Sequence, residues 1–484
     1  MKQNPPLLMR VVGVIGLMLV FTASAKASPS FDAKPWQEDL EQTRKAVSTK
    51  YANLEWLVLE RELDLPSLFA EARARLDSAS SAADARAVFD RLARKFGDGH
   101  VRFRWPQGQS ASNATVANCS SLGYDVHMQG ASTAAYIPGY APLESAPASE
   151  FPAGTIRLDH HNIGVVKIGL FSPLGYPELC AAAIRDLHIV PDAPCDDACS
   201  HRIAVWGSDR MSHDLESKLR AIKAAGAEML LVDIADNGGG TEWAEAVARM
   251  LTSIKLKSQQ MGFVRGAHWA SAFGEMEADL RSAMKDALPG DRALLESLAD
   301  AVAGRRKEAE IPCDSTPLWR GARPSCHWLG EGFFGSGLLA SGDIQRFKDK
   351  SWPEIVFKPA QYPVHEGVWA GPLVILVNGG TGSAAEQFAA ILQDNHAAVV
   401  IGSPTGGAGC GHTNGGTPTT LKNSGGILEL PDCARFRADG SNEVMGIQPD
   451  ILVGLRSTDG PHRQGNRVAA KLSDAVSRAV EQRR

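Results

Sequence analysis

The chain has 484 residues, 44% hydrophobic, 22% charged and 7% aromatic, with a formal net charge of −5. A chain of that size and balance builds more than one core, which excludes a disordered polymer, a collagen-like repeat and a small disulfide knot. Its slight acidity excludes a strongly basic nucleic-acid binder and a polybasic membrane arm, so no nucleic acid is expected as a partner.

The first apolar run, residues 11–23, follows Lys2 and Arg10 and ends in small residues that offer cleavage at Ala23-Ser24-Ala25 or Ala25-Lys26-Ala27. That is the arrangement of a secretory signal peptide. The run is shorter than the roughly 20 apolar residues of a bilayer span. Residues 1–27 are therefore expected to be removed, leaving no stable membrane anchor and a periplasmic or secreted protein. Their loss takes three cations and no acid, and the mature chain stands at −8. All eight cysteines follow this segment, and an even number in an oxidising compartment reads as disulfides. The sequence neighbours Cys313 with Cys326 and Cys410 with Cys433 are the expected pairs. Cys195-x-x-x-Cys199 followed by His201 also fits part of a metal site, but no second ligand pair at zinc spacing accompanies it, so no metal is expected.

Residues 28–105 read as an N-terminal helical subdomain. Leu40, Val47, Tyr51, Leu54 and Leu57, then Leu68, Phe69, Ala72 and Leu76, then Val88, Phe89, Leu92 and Phe96 recur mostly at three- and four-residue steps, and Gly97-Asp98-Gly99 ends the last helix. Residues 106–160, rich in Ser, Ala, Gly and Pro, read as a linker with short strands. An α/β core begins over residues 161–252, with strands at residues 163–168 and 229–234, a helix at 211–225, and the turn Asn237-Gly238-Gly239-Gly240 opening a helix at 241–251. Residues 253–365 form an insertion, too long for a loop, with a charged helical stretch at 273–307; it is a possible lid over a cleft. The core resumes over residues 366–456 with a strand at 373–377, a glycine-rich turn at 378–382, a helix at 383–392 and a strand at 399–401. Residues 457–484 are assigned to a C-terminal helix.

Ser383 stands where a buried strand passes sharply into a helix, its hydroxyl displayed beside the free N–H groups of the first turn. Such donors suit a developing oxyanion. Ser383-x-x-Glu386 also spells a capping box, in which the serine merely satisfies the helix start, and spacing leaves both readings open. The Asn237-Gly238-Gly239-Gly240 turn lets backbone amides approach a ligand, but it lacks the Gly-Lys-Ser/Thr ending of a phosphate loop and the Gly-x-Gly-x-x-Gly spacing of a dinucleotide site. A serine nucleophile needs a base, and composition singles out none of the 13 histidines.

Four segments carry a resemblance. Residues 373–394 with Thr381-Gly382-Ser383-Ala384-Ala385-Glu386, then Ile401-Gly402-Ser403-Pro404-Thr405-Gly406-Gly407, then Gly446-Ile447-Gln448-Pro449-Asp450-Ile451, and upstream Val232-Asp233-Ile234-Ala235-Asp236-Asn237-Gly238-Gly239-Gly240 together resemble the tail-specific (C-terminal processing) serine peptidases. The resemblance spans about half of the chain and implies the α/β superfold shared with crotonases and the Clp protease. Members with a Ser-Lys dyad carry lysine in Thr-x-Gly-Lys-Gly, where this chain has Ala408. The histidine-using branch, similar to the tricorn core protease, takes its base from an Asp-Gly-His segment and a glutamate from just before Gly-x-x-Pro-Asp. Asp98-Gly99-His100 and Glu443 match those places.

The resemblance thus implies a triad of Ser383, His100 and Glu443, with Glu443 holding the imidazole tautomer. The N–H of Ala384 and that of Gly239 or Gly240 would form the oxyanion hole. No organic cofactor is expected, and the substrate would be a peptide or protein. Two departures bear on tail specificity: the family's Asp-Leu-Arg arginine is Ala235 here, and the stretch between Cys119 and Gly164 is short for a PDZ domain. The alternatives are a non-catalytic ligand-binding protein on the same scaffold and an esterase using the same triad.

Overall fold

The structure is a computed structural model that describes residues 31–106, 115–143, 150–158, 161–348, 350, 352–412 and 416–483. The signal peptide expected at residues 1–27 lies outside them. In chain order the strands are β1 (Arg102–Arg104), β2 (Tyr140–Pro142), β3 (Ala153–Leu158), β4 (His161–Lys167), β5 (Met229–Asp233), β6 (Gln260–Val264), β7 (Leu329–Phe334), β8 (Leu373–Val377), β9 (Val399–Gly402), β10 (Thr419–Thr420), β11 (Ile427–Glu429), β12 (Cys433–Phe436) and β13 (Ile451–Leu452).

The main sheet has the order β13-β9-β8-β5-β4-β3-β2. It is parallel from β13 through β4 and antiparallel at β3 and β2. Every residue of β5 (Met-Leu-Leu-Val-Asp) and β8 (Leu-Val-Ile-Leu-Val) is buried, as parallel strands covered on both faces must be. On one face Leu215, Trp243 and Phe388 join a single apolar core. On the other the C-terminal helix Pro461–Gln482 lays down Val468, Leu472 and Val476.

Four helices form the N-terminal region: Lys34–Lys50, Leu54–Leu59, Leu65–Asp77 and Ala82–Phe96. Asp64 and Ser81 cap the third and fourth by accepting from the N–H groups of Ser67 and Asp84. Gly97 ends the fourth at φ 62°, a left-handed conformation that suits glycine. Their apolar faces share one cluster with Trp328, Leu428 and Val444. The subdomain is therefore packed on the core, and this packing carries His100 to its place.

Residues 106–160 hold short strands, and one of them belongs to the core: β3 pairs with β4 along its whole length and extends the main sheet; its small and polar residues, Ala153, Gly154 and Thr155, hide the strand pattern. The single charged stretch expected at residues 273–307 is two helices, Ala267–Ala283 and Pro289–Ala309. Pro289 excludes a helical conformation at Leu288, which sits at ψ 155°. The insertion is also tied to the core: β6 and β7 join β12 in a three-stranded antiparallel sheet. All eight cysteines are paired, Cys119 with Cys180, Cys195 with Cys199, Cys313 with Cys326, and Cys410 with Cys433.

Candidate active site

Strands β5 and β8 are neighbours, and at their carboxyl ends both turn towards helices on the same side of the sheet. Side chains and backbone lock the two turns together. The Asp236 N–H donates to Asn378 Oδ1 at 2.8 Å and Asn378 Nδ2 returns a bond to Asp236 Oδ1 at 2.9 Å. Thr381 Oγ1 donates to the Ile234 carbonyl at 2.9 Å, and the Gly382 N–H to the Asn237 carbonyl at 3.0 Å. Gly239 must be glycine here. Its φ is 117°, and a Cβ would stand 2.7 Å from Ser383 Cβ and 3.0 Å from Ala384 N.

Ser383 precedes the helix Ala384–Asp394 at φ 55°, ψ −121°. This is outside the extended conformation of an ordinary N-cap, and a non-glycine residue held there costs about 1–3 kcal/mol. The Glu386 carboxylate takes the Ser383 N–H at 3.0 Å, the return half of a capping box. The Glu386 N–H is bonded to the Ser383 carbonyl at 3.0 Å and faces the Ser383 side chain in the other half of that box, while Ser383 Oγ also lies 3.2 Å from His100 Nε2.

His100 follows the end of the helix Ala82–Phe96. Buried Asp98 fixes its backbone, taking the His100 N–H on Oδ1 at 3.0 Å while Oδ2 receives Tyr51 Oη at 3.1 Å and Asn53 Nδ2 at 2.9 Å. Burial pushes the Asp98 carboxyl up to about 6 despite these donors. His100 Nδ1 lies 2.6 Å from the Ala408 carbonyl. A carbonyl only accepts, so Nδ1 carries the proton and Nε2 offers its lone pair to Ser383. Burial lowers the His100 pKa below its ordinary value, with the cations Arg435 and Arg102 acting in the same direction and the Ala408 carbonyl and Glu443 opposing. The lowered pKa favours the neutral imidazole, the form in which a general base acts.

The contact expected between Glu443 and His100 is absent. Glu443 is buried and holds Arg435 instead, with Nε on Oε2 at 2.8 Å and Nη2 on Oε1 at 2.5 Å. The planar guanidinium fork outcompetes a single imidazole N–H for a carboxylate, and Ala408 serves the ring. Arg435 also reaches Gln387 Oε1 at 2.8 Å, the Gly409 carbonyl at 3.2 Å and the Ser383 carbonyl at 3.5 Å. Arg435 thereby joins β12, the nucleophile turn and the Glu443 segment.

Glu386 does more than cap. Its oxygens accept from Thr405 Oγ1 at 2.5 Å, the Gly407 N–H at 2.7 Å and the Ala408 N–H at 2.9 Å. Burial, and then the Glu443 charge, raise its pKa. One buried carboxyl therefore positions Ala408, whose carbonyl orients His100. Arg435 and this role of Glu386 escape sequence reasoning, since an arginine alternating along a short strand and a capping glutamate carry no mark of a site.

Among the expected oxyanion donors, the Ala384 N–H has no acceptor among the described residues, as the first amide of a helix. The Gly239 N–H is taken by Asn237 Oδ1 at 2.9 Å. Gly240, and Gly238, which the sequence reading passed over, are exposed and their N–H groups have no acceptor among the described residues.

Residues 202–453, just over half of the chain, match peptidase family S41. The chain belongs to that family. Ser383, Arg435 and Glu443 fall inside the matched span, and His100 is brought to it by the N-terminal helices. A carboxy-terminal-processing protease of Bartonella bacilliformis is 34% identical over 83 residues, which cover 17% of this chain and 18% of that relative. The match thus spans less than a fifth of the relative's length. The crystal structure of mature CPAF overlays on 93% of this chain and 98% of its own, with a TM-score of 0.56 at 14% identity. CPAF complexed with lactacystin gives 0.55 at 14% identity over 93% of this chain and 99% of that one. At such identity the likeness establishes the S41 fold in this chain, the α/β core with its helical N-terminal region.

Proposed function

We propose that this chain is an exported serine peptidase that cleaves peptide bonds through an acyl-enzyme on Ser383, with His100 as general base. As Oγ attacks the scissile carbonyl carbon, its proton passes to His100 Nε2. The carbonyl oxygen becomes an oxyanion facing the N–H of Ala384 and that of Gly240 or Gly238. Collapse breaks the C–N bond, and the imidazolium returns its proton to the leaving amine. Water then attacks the acyl ester, giving its proton to His100, and Ser383 is regenerated as the acid product leaves.

The observation that carries this reading is the 3.2 Å approach of Ser383 Oγ to His100 Nε2, made from a strained backbone that a mere cap does not need. The position of Ala408 where other members have lysine supports histidine as base. Glu443 acts one step removed: its charge favours the imidazolium, and its pairing with Arg435 holds the nucleophile turn. Four disulfides favour an oxidising compartment. Among the described residues no helix is long and apolar enough to cross a membrane.

The test is a peptide-library digest read by mass spectrometry, with Ser383→Ala as control. Cleavage by the parent chain and none by the variant is the expected result. Hydrolysis of activated esters alone would favour the esterase reading, and tight ligand binding without turnover the binding-protein reading.

A further inference from the structure

A cavity of about 440 Å³ opens between the sheet β6–β7 and the helix Ala267–Ala283, within the range of roughly 300–1,000 Å³ typical of ligand sites. Its apolar lining includes Met261, Phe263, Phe273, Met276, Phe333 and Leu338.

Two relationships connect this cavity with the candidate active site. Met261 stands directly opposite Arg435 across β6 and β12, and such cross-strand partners share one face of a sheet. Arg435 Nη2 is in turn 3.5 Å from the Ser383 carbonyl. Glu242, also on the lining, lies two residues beyond Gly240 in the chain. Arg435 therefore links the wall of the cavity at Met261 to the nucleophile turn.

The charged lining consists of four carboxylates and one cation, Lys358. Glu242 is paired with Lys358 at 2.6 Å. Glu275, Asp279 and Glu354 also line the cavity, and none of them has an ion-pair partner among the described residues. An apolar floor with unpaired carboxylates complements a ligand that is both apolar and cationic.

We propose that this cavity is a substrate subsite that receives an aromatic or long aliphatic side chain together with an adjacent lysine or arginine. The apolar side chain fills the space between Met261, Phe273 and Phe333, and the cation meets Glu275, Asp279 and Glu354. This rests on the peptidase reading and adds a substrate class to it: peptides carrying an apolar–basic pair near the cleaved bond.

The test measures Kd by fluorescence anisotropy on the Ser383→Ala chain, which holds peptide without turning it over, with labelled peptides differing only at a Phe-Arg, Phe-Glu or Ala-Arg pair. The Phe-Arg peptide is expected to bind at least about tenfold more tightly than either other, with its advantage over Phe-Glu shrinking severalfold when salt is raised to about 0.5 M. Combining Asp279→Lys with Glu354→Lys, both exposed, should abolish the preference for Arg over Glu and keep that for Phe over Ala. Equal Kd values for Phe-Arg and Phe-Glu, or an Arg preference that survives the double substitution, would overturn the proposal. If the double variant fails to fold, the peptide and salt series on the Ser383→Ala chain decides. A serine-reactive probe on the unaltered chain separates the two readings. Labelling without a peptide preference removes the subsite alone, and a preference without labelling removes the peptidase reading instead.

Discussion

His100 Nδ1 lies 2.6 Å from the carbonyl oxygen of Ala408, so a backbone group holds the ring where a carboxylate was expected. Ala408 is held by Glu386, whose Oε2 accepts both the Ala408 N–H at 2.9 Å and the Ser383 N–H at 3.0 Å. Base and nucleophile are thus referenced to the same buried carboxyl group.

The pH profile follows from the His100 surroundings. Burial, with Arg435 and Arg102 nearby, depresses the imidazole pKa below the ordinary value of about 6.5. The base is active when neutral, so kcat/KM should fall as pH drops through a value lower than about 6.5 and stay level above it to neutrality. Steady-state peptide hydrolysis from pH 4 to 8 checks this. A limb above pH 7 would contradict it.

Glu443→Gln should act first on stability. Removing one partner of a buried ion pair leaves Arg435 without its counter-charge, at a cost of about 3–5 kcal/mol. Denaturant unfolding should show that loss. Under folding conditions turnover should fall less than in His100→Ala, because Glu443 makes no hydrogen bond to the ring. If Glu443→Gln unfolds like the parent chain but matches His100→Ala in lost turnover, Glu443 touches the ring during catalysis.

Asp98 makes stability depend on pH in a set direction. Its folded pKa of about 6 exceeds the ordinary value of 3.8, so the folded state binds the proton more tightly and this group's contribution declines as pH rises from about 4 to about 6. Asp98→Asn should remove that slope, as read from denaturant midpoints across the range. Turnover should fall with it, since the new side-chain amide would turn a donor towards groups whose hydrogen bonds Asp98 accepts. An unchanged slope would place the titration elsewhere.

The Cys410–Cys433 disulfide borders the site. It ties the loop bearing Gly409, whose carbonyl receives Arg435, and Gly411, where a Cβ would stand 2.8 Å from His100 Nε2, to β12. Replacing this pair by alanines should lower turnover at least about tenfold. Replacing Cys195 and Cys199, which close a loop of sequence separation 4, should leave it within about twofold of the parent. Peptide hydrolysis by the two double variants checks the contrast against a disulfide cost of about 2–4 kcal/mol in stability alone.

The sequence carried the parallel strands and the nucleophile turn because continuous apolar runs such as Leu373 to Val377, ending in glycines, have few other uses. It carried the N-terminal helices through their three- and four-residue spacing. What it hid has physical reasons. The Ala408 carbonyl could not be read, because every residue has such an acceptor and only the fold selects one. Arg435 carries no mark of a site until β12 is laid beside β6. Strand β3, which lies between β2 and β4, escaped because Gly154 and Thr155 break the apolar alternation.

The central claim is that Ser383 is a nucleophile activated by His100. Losing a helix cap costs roughly 1 kcal/mol, which leaves a stable chain folded, whereas losing a nucleophile lowers turnover by about 10⁴ or more. The most direct measurement is intact-mass and peptide mapping after treatment with a fluorophosphonate probe. The account predicts one adduct per chain, on Ser383, strongly suppressed in folded His100→Ala. No adduct at Ser383, or equal labelling with His100 removed, would contradict it.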